Sequence, residues 1–171
     1  MPEEILTVVN DNDDEIGSAP REACHEKGLI HRSVMFFVFD GEGKVLVTKR
    51  VQDKEFFPGY WSIVLGGHVR AEENYEEALS REIEEEIGIR AKPFFIATFK
   101  KRIPEEKENV MVFGITAKDE PTLNRKELEK GEFLDLAEFE SRMKVHSFLP
   151  ETEILFGILK GYLSSQSLQK I

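Results

Sequence analysis

The stretch GGHVRAEENYEEALSREIEEEIGI, residues 66–89, limits the fold of this chain more than any other segment. It reads as a strand end closed by paired glycines, a helix from about Asn74 to Ile87, and a glycine stop at Gly88. At about 100° per residue, Glu82, Glu85 and Glu86 fall at i, i+3 and i+4 and project from one face, while Glu84 points elsewhere. Tyr75, Ala78, Leu79, Ile83 and Ile87 form an apolar stripe beside them, so the acids border the core. Like charges at this spacing repel by roughly 0.2–0.5 kcal/mol per pair. Partly buried carboxylates need counter-charges or they take up protons, and a hard divalent cation satisfies several at once. A solvated acidic helix balanced by lysines is the other reading of the same letters.

Strand patterns surround that helix. ILTVV reads as a first strand and REACHEKG as a helical turn ending at Gly28. SVMFFVF and KVLVTKR flank DGEG as a hairpin, and WSIVLGG reads as one buried strand that stops at its glycines. KPFFIATFKKR and ENVMVFGITA follow as two strands, then GEFLDL as a short last one, with LAEFESRM and TEILFGILKGYL as closing helices. Residues 164–171 are expected to fray. With 171 residues and 40% hydrophobic composition, this pattern predicts one domain, 1–171. Its class is α/β (α+β), a mixed β-sheet with helices packed on it.

A net charge of −10 argues against nucleic-acid or anionic-membrane partners, because both are polyanions that attract basic surfaces. An anionic substrate would need its cations supplied locally. The lone Cys24 permits no intramolecular disulfide, which suits a reducing, cytoplasmic setting. MPEEILTVVNDND has no leader pattern, and VMFFVF is too short to span a bilayer, so a soluble, unexported protein without membrane partners is expected. No pattern specifies an oligomeric state.

Gly67, five residues, Glu73, seven residues, then REIEEEIGI closely resembles an intact Nudix box, the signature of the Nudix hydrolases, over residues 67–89. The resemblance implies an α/β/α sandwich with the box as loop, helix and loop. It implies that Glu82, Glu85 and Glu86 bind Mg²⁺ or Mn²⁺, joined by the Gly67 carbonyl, and that Glu73, Arg81 and Gly88 hold the box in shape. The implied reaction is hydrolysis of a diphosphate linked to another group, with metal ions neutralising phosphate oxygens and activating a water.

For the general base, the box offers Glu82 and Glu85, and later loops offer Glu105, Glu106, Glu108, Glu127 and Glu129. Lys49 and Arg50 precede the loop VQDKEFFPGYW and can hold phosphate or simply end a polar strand. Phe56, Phe57, Tyr60 and Trp61 can stack on a base or pack that loop onto the core.

A second resemblance runs from VVNDNDDEIG to FFPGYWSIVLGGH, which is similar to the front half of the type 1 isopentenyl diphosphate isomerases and related hydrolases. It implies a metal held by histidines and glutamates, with His25, His31, His68 and Glu108 near those positions. The spacing between the first two histidines is one residue shorter than the isomerase pattern. Where that pattern has a catalytic cysteine before Gly-His, this chain has Gly66. Allylic isomerisation moves a proton onto one carbon and off another, so losing the thiol should disable it.

The combined expectation is a Mg²⁺-dependent Nudix hydrolase acting on a small-molecule diphosphate, a nucleoside di- or triphosphate or a nucleoside diphosphate linked to another group. An isopentenyl diphosphate isomerase-like enzyme is the first alternative. A non-catalytic nucleotide-binding module of the same fold is the second.

Overall fold

The computed structural model describes residues 2–169. Its strands are β1 (Ile5–Val9), β2 (Glu15–Pro20), β3 (His31–Phe39), β4 (Val45–Arg50), β5 (Trp61–Ser62), β6 (Leu65–His68), β7 (Phe94–Arg102), β8 (Lys107–Thr116) and β9 (Leu128–Leu134). Its helices are α1 (Arg21–Lys27), α2 (Tyr75–Ile87), α3 (Leu136–Met143) and α4 (Thr152–Gln169).

The apolar run of β3 organises everything else. It pairs in parallel with β8 along its whole length and antiparallel with β6, and β7 extends the sheet beyond β8. Because side chains alternate across a strand, Met35, Phe37 and Phe39 enter one core while Val34, Phe36 and Val38 enter another. The first core is covered by α3 and α4 through Phe139, Leu155 and Leu159, the second by α2 through Ala78, Leu79, Ile83 and Ile87. The result is the expected mixed sheet between helical layers, and a strand buried on both faces reads as a continuous apolar run.

Four sequence expectations change. DGEG does join β3 to β4, but these strands share only the Phe39–Val45 pair before β4 turns to β5 and β9. WSIVLGG is two strands: Trp61 and Ser62 pair with β4, whereas Leu65 to His68 pair with β3. The break lies at the Ser62 hydroxyl, which donates to the Val64 carbonyl at 2.7 Å and accepts from the Val64 N–H at 3.2 Å, replacing ladder bonds with a local loop. The glycines do not end β6, which runs through them to His68. Residues 164–169, expected to fray, continue α4, while 170 and 171 lie outside the described residues.

No helix among the described residues is long and apolar enough to cross a membrane.

Candidate active site

Helix α2 is fixed at both ends by local chemistry. The Asn74 side chain accepts from the Glu77 N–H and the Glu77 carboxylate accepts from the Asn74 N–H, both at 2.9 Å. Gly88 closes the helix in the left-handed conformation at φ 62°. Between these caps the buried stripe turns Glu82 inward against β6, leaves Glu86 half-buried and leaves Glu84 and Glu85 exposed. Gly67 permits this approach, since a Cβ there would lie 2.5 Å from the Glu82 carboxyl carbon.

Arg81 ties the loop before α2 to the acids. Its guanidinium makes two bonds to Glu73, at 2.6 and 2.8 Å, and donates to Glu82 at 2.6 Å, to Glu85 at 3.4 Å and to the His68 carbonyl at 3.0 Å. Its charge holds the Glu73 carboxyl below the usual range, and Glu73 also accepts the Arg70 N–H at 3.1 Å.

Burial pushes the Glu82 carboxyl up even though Arg81 opposes it. Glu86 is pushed up to about 7, by burial first and by neighbouring Glu82 second. Its Oε2 atom is buried without a hydrogen-bond partner. Buried carboxylates short of positive charge form a donor set that suits a hard divalent cation.

These acids line a cavity of about 630 Å³ that also meets Arg50, Lys54, Phe56 and Phe57. Arg50 donates to the Phe56 carbonyl at 3.0 Å, while its Nε is buried with no acceptor. Burial lowers the pKa of both Arg50 and Lys54, so both cations are poised to gain from an anion. Lys49 instead pairs with Glu129 at 3.0 Å at the exposed strand end. Trp61 is buried in the first core against Phe148, and the Tyr60 ring packs tilted against Phe57.

His25, His31 and His68 come together beside this cavity, with ring centroids 5.0–5.5 Å apart. Sheet register assembles the rest, because Lys101 of β7, Glu108 of β8 and His31 of β3 are successive cross-strand partners. His31 is fully buried and donates from Nδ1 to the Leu29 carbonyl at 3.0 Å, which turns Nε2 toward Glu108. That nitrogen lies 3.7 Å from Glu108 without a hydrogen-bond partner, and His25 Nε2 in the same cluster also has none. Ligand atoms of His25, His31 and His68, and separately of His68, Glu106 and Glu108, lie within 4.8 Å of one another. Such a nitrogen and carboxylate set fits a transition-metal ion.

Burial opposes a charge on His68, but Glu108 at 3.4 Å and Glu4 at 3.7 Å outweigh it and raise its pKa to about 9. Burial likewise opposes the Glu108 charge, yet His31, His68 and Lys101 hold that carboxyl well below its usual range.

Sequence reading missed Glu4, Arg21, Lys54, Lys101 and Glu151, all of which line the cavity. Lys101 had one legible signal: it shares strand parity with Phe99, which packs against the first core. Glu4 and Glu151 had none. Among the candidate bases, Glu106, Glu108 and Glu127 line the cavity, and each faces a cation: Lys101 for the first two, Lys54 for Glu127.

Residues 29–152 match the NUDIX domain family. The Nudix hydrolase SCO1686 of Streptomyces coelicolor is 32% identical over 163 residues, covering 94% of this chain and 90% of its own. Isopentenyl-diphosphate Delta-isomerase 2 of Photorhabdus laumondii is 41% identical over 86 residues, 50% of this chain and 49% of its own. Other curated relatives behave like the second, so the matched part of this chain spans about half their length. Among solved structures, DR0079 from Deinococcus radiodurans superposes with a TM-score of 0.78 at 23% identity, over 93% of this chain and 99% of that one.

Proposed function

Because the chain belongs to the Nudix family, we propose that it acts as a single Nudix domain and a metal-dependent pyrophosphohydrolase. It would cleave a pyrophosphate bond in a nucleoside di- or triphosphate or in a nucleoside diphosphate linked to another group. The observation that carries this reading is the placement of Glu82 and Glu86, two carboxylates raised by burial, on a cavity shared with Arg50 and Lys54. Glu82, Glu85, Glu86 and the Gly67 carbonyl would hold Mg²⁺ or Mn²⁺, which when bound neutralises phosphate oxygens and acidifies water.

The protein's own groups supply the remainder. Arg50, with a free buried N–H, and Lys54 attract the diphosphate and orient it by charge-assisted hydrogen bonds. Glu82 and Glu85 are the acids nearest the box chemistry that can take a water proton. Glu106, Glu108 and Glu127 are engaged by Lys101 and Lys54 as Glu82 is by Arg81, which leaves exposed Glu85, 3.4 Å from Arg81, the more loosely held of the two box acids. Arg81 and Glu73 keep the acids aimed, and Phe56 and Phe57 line the approach.

One observation favours an isomerase-like reading, the grouping of His25, His31, His68, Glu106 and Glu108 as a second donor set. Gly66 weighs against it. At φ 153° its backbone suits glycine, and a Cβ there would lie 2.9 Å from the Met35 Cα. The isomerase thiol therefore lacks both its sulfur and a backbone that accepts it. The intact acids weigh against a non-catalytic module.

The test is release of phosphate or pyrophosphate, with and without Mg²⁺, from nucleoside di- and triphosphates, nucleotide sugars and dinucleoside polyphosphates. Isopentenyl diphosphate would be followed alongside by product analysis. Metal-dependent hydrolysis supports the proposal; isomerised prenyl diphosphate without hydrolysis would replace it.

A further inference from the structure

The cavity has a wall of buried charge that phosphate chemistry leaves unused. Lys101 is 7% exposed and stands among three carboxylates: it bonds to Glu106 and lies 3.2 Å from Glu151 and 3.6 Å from Glu108. An ammonium has three N–H donors, and here three carboxylates face them. Glu151 sits just before α4, 5% exposed, with Oε1 facing Lys101 and Oε2 without a partner. It lines the same cavity as the α2 acids. Arg50 lines that cavity together with Glu86, Glu106 and Glu151. A diphosphate held at Arg50 therefore shares one cavity with the α2 acids and with Glu151.

We infer that Glu151, set by Lys101, is the specificity-determining contact for the organic group of the diphosphate, and that this group presents a hydrogen-bond donor, hydroxyl or amino, rather than a prenyl chain. The inference rests on the hydrolase reading and narrows its substrate class. A buried carboxylate oxygen with no donor gains a charge-assisted bond from such a group, whereas a hydrocarbon would seal it off unpaired. Lys101 is poorly placed to serve an acceptor on the substrate, because two of its N–H donors bond to Glu106 and Glu151 and Glu108 lies 3.6 Å from it.

The probes are three diphosphates whose organic groups have equal numbers of non-hydrogen atoms, 3-methylbutyl, 4-hydroxybutyl and 4-aminobutyl, assayed for Mg²⁺-dependent hydrolysis by wild type and Glu151→Gln. For wild type, kcat/KM should be at least about tenfold higher for the donor-bearing pair than for the alkyl compound. In the variant the preference should shrink to about threefold or less, through KM more than kcat, with the alkyl compound unaffected. Equal use of all three by wild type overturns the inference and leaves the hydrolase reading standing. So does a wild-type preference that Glu151→Gln leaves unchanged in a protein that melts normally. Should that variant fail to fold, the wild-type ratio decides, and Lys101→Met, which frees Glu151 from its anchor, should blunt the same preference. Absence of metal-dependent hydrolysis for these and for the nucleotide panel would overturn both readings.

Discussion

Gly67 and Glu82 are in contact at the limit of what two residues allow: a single Cβ on Gly67 would come within 2.5 Å of the Glu82 carboxyl carbon. Gly67→Ala should therefore displace Glu82 and raise the Mg²⁺ concentration needed for half-maximal activity by about tenfold or more. Overpacking should cost about 1–3 kcal/mol of stability. Mg²⁺ titration of activity and a thermal melt check both; an unchanged Mg²⁺ requirement would sink the assignment of Glu82.

Glu85→Gln and Glu86→Gln each remove a charge from the proposed metal site, on a helix whose buried stripe is Ala78, Leu79, Ile83 and Ile87. Turnover should fall by about a hundredfold or more with the far-ultraviolet circular dichroism unchanged. Full activity in either variant would refute a metal role for that residue.

Glu86 also predicts how stability responds to pH in the absence of metal. Its carboxyl is raised from 4.5 to about 7 in the folded protein, so between these values the folded state holds a proton that the unfolded state releases. Its contribution to stability thus falls as pH rises through that window. Glu86→Gln should melt above wild type in EDTA at pH 8, by on the order of 1–2 kcal/mol after allowance for solvent screening, or a few degrees. The difference should vanish near pH 4, and Mg²⁺ at pH 8 should stabilise wild type but not the variant. Equal melting temperatures in EDTA at pH 8 would contradict this.

Gly66→Cys restores the sulfur of the isomerase pattern in a place that cannot seat it. At φ 153°, with the Met35 Cα and the Val34 carbonyl carbon 2.9 Å from the new Cβ, the variant should lose about 1–3 kcal/mol and gain no isomerase activity. Product analysis with isopentenyl diphosphate checks the second outcome, and any isomerised product would revive the alternative reading.

What the sequence made legible follows from the range over which each signal acts. Helix α2 was readable because its caps and apolar stripe all lie within one short segment. Strand β2 went unseen because it is an exposed edge with no apolar alternation, and the break in WSIVLGG depends on a hydroxyl bond no periodicity reports. The histidines were suspected by resemblance, but their partners come from distant strands. Only the register of β3 with β8 sets His31 beside Glu108, and only that of β7 with β8 sets Lys101 there too. Glu151 reaches the cavity through the packing of α4, which local pattern does not encode.

The alternation along β3 has an implication for how such a protein can diversify. His31 and Ser33 share the parity of Met35 and Phe37, so the residues that enter the first core and the first residues of the site belong to one row. A one-residue slip would invert both cores and carry His31 to the opposite face of the sheet. Mutational drift in this strand is thereby confined to exchanges of similar volume. New selectivity must arise where the chain is released from that row, in the segments carrying Lys54 to Phe57 and Leu149 to Glu151, so the architecture separates an inheritable reaction from a replaceable appetite.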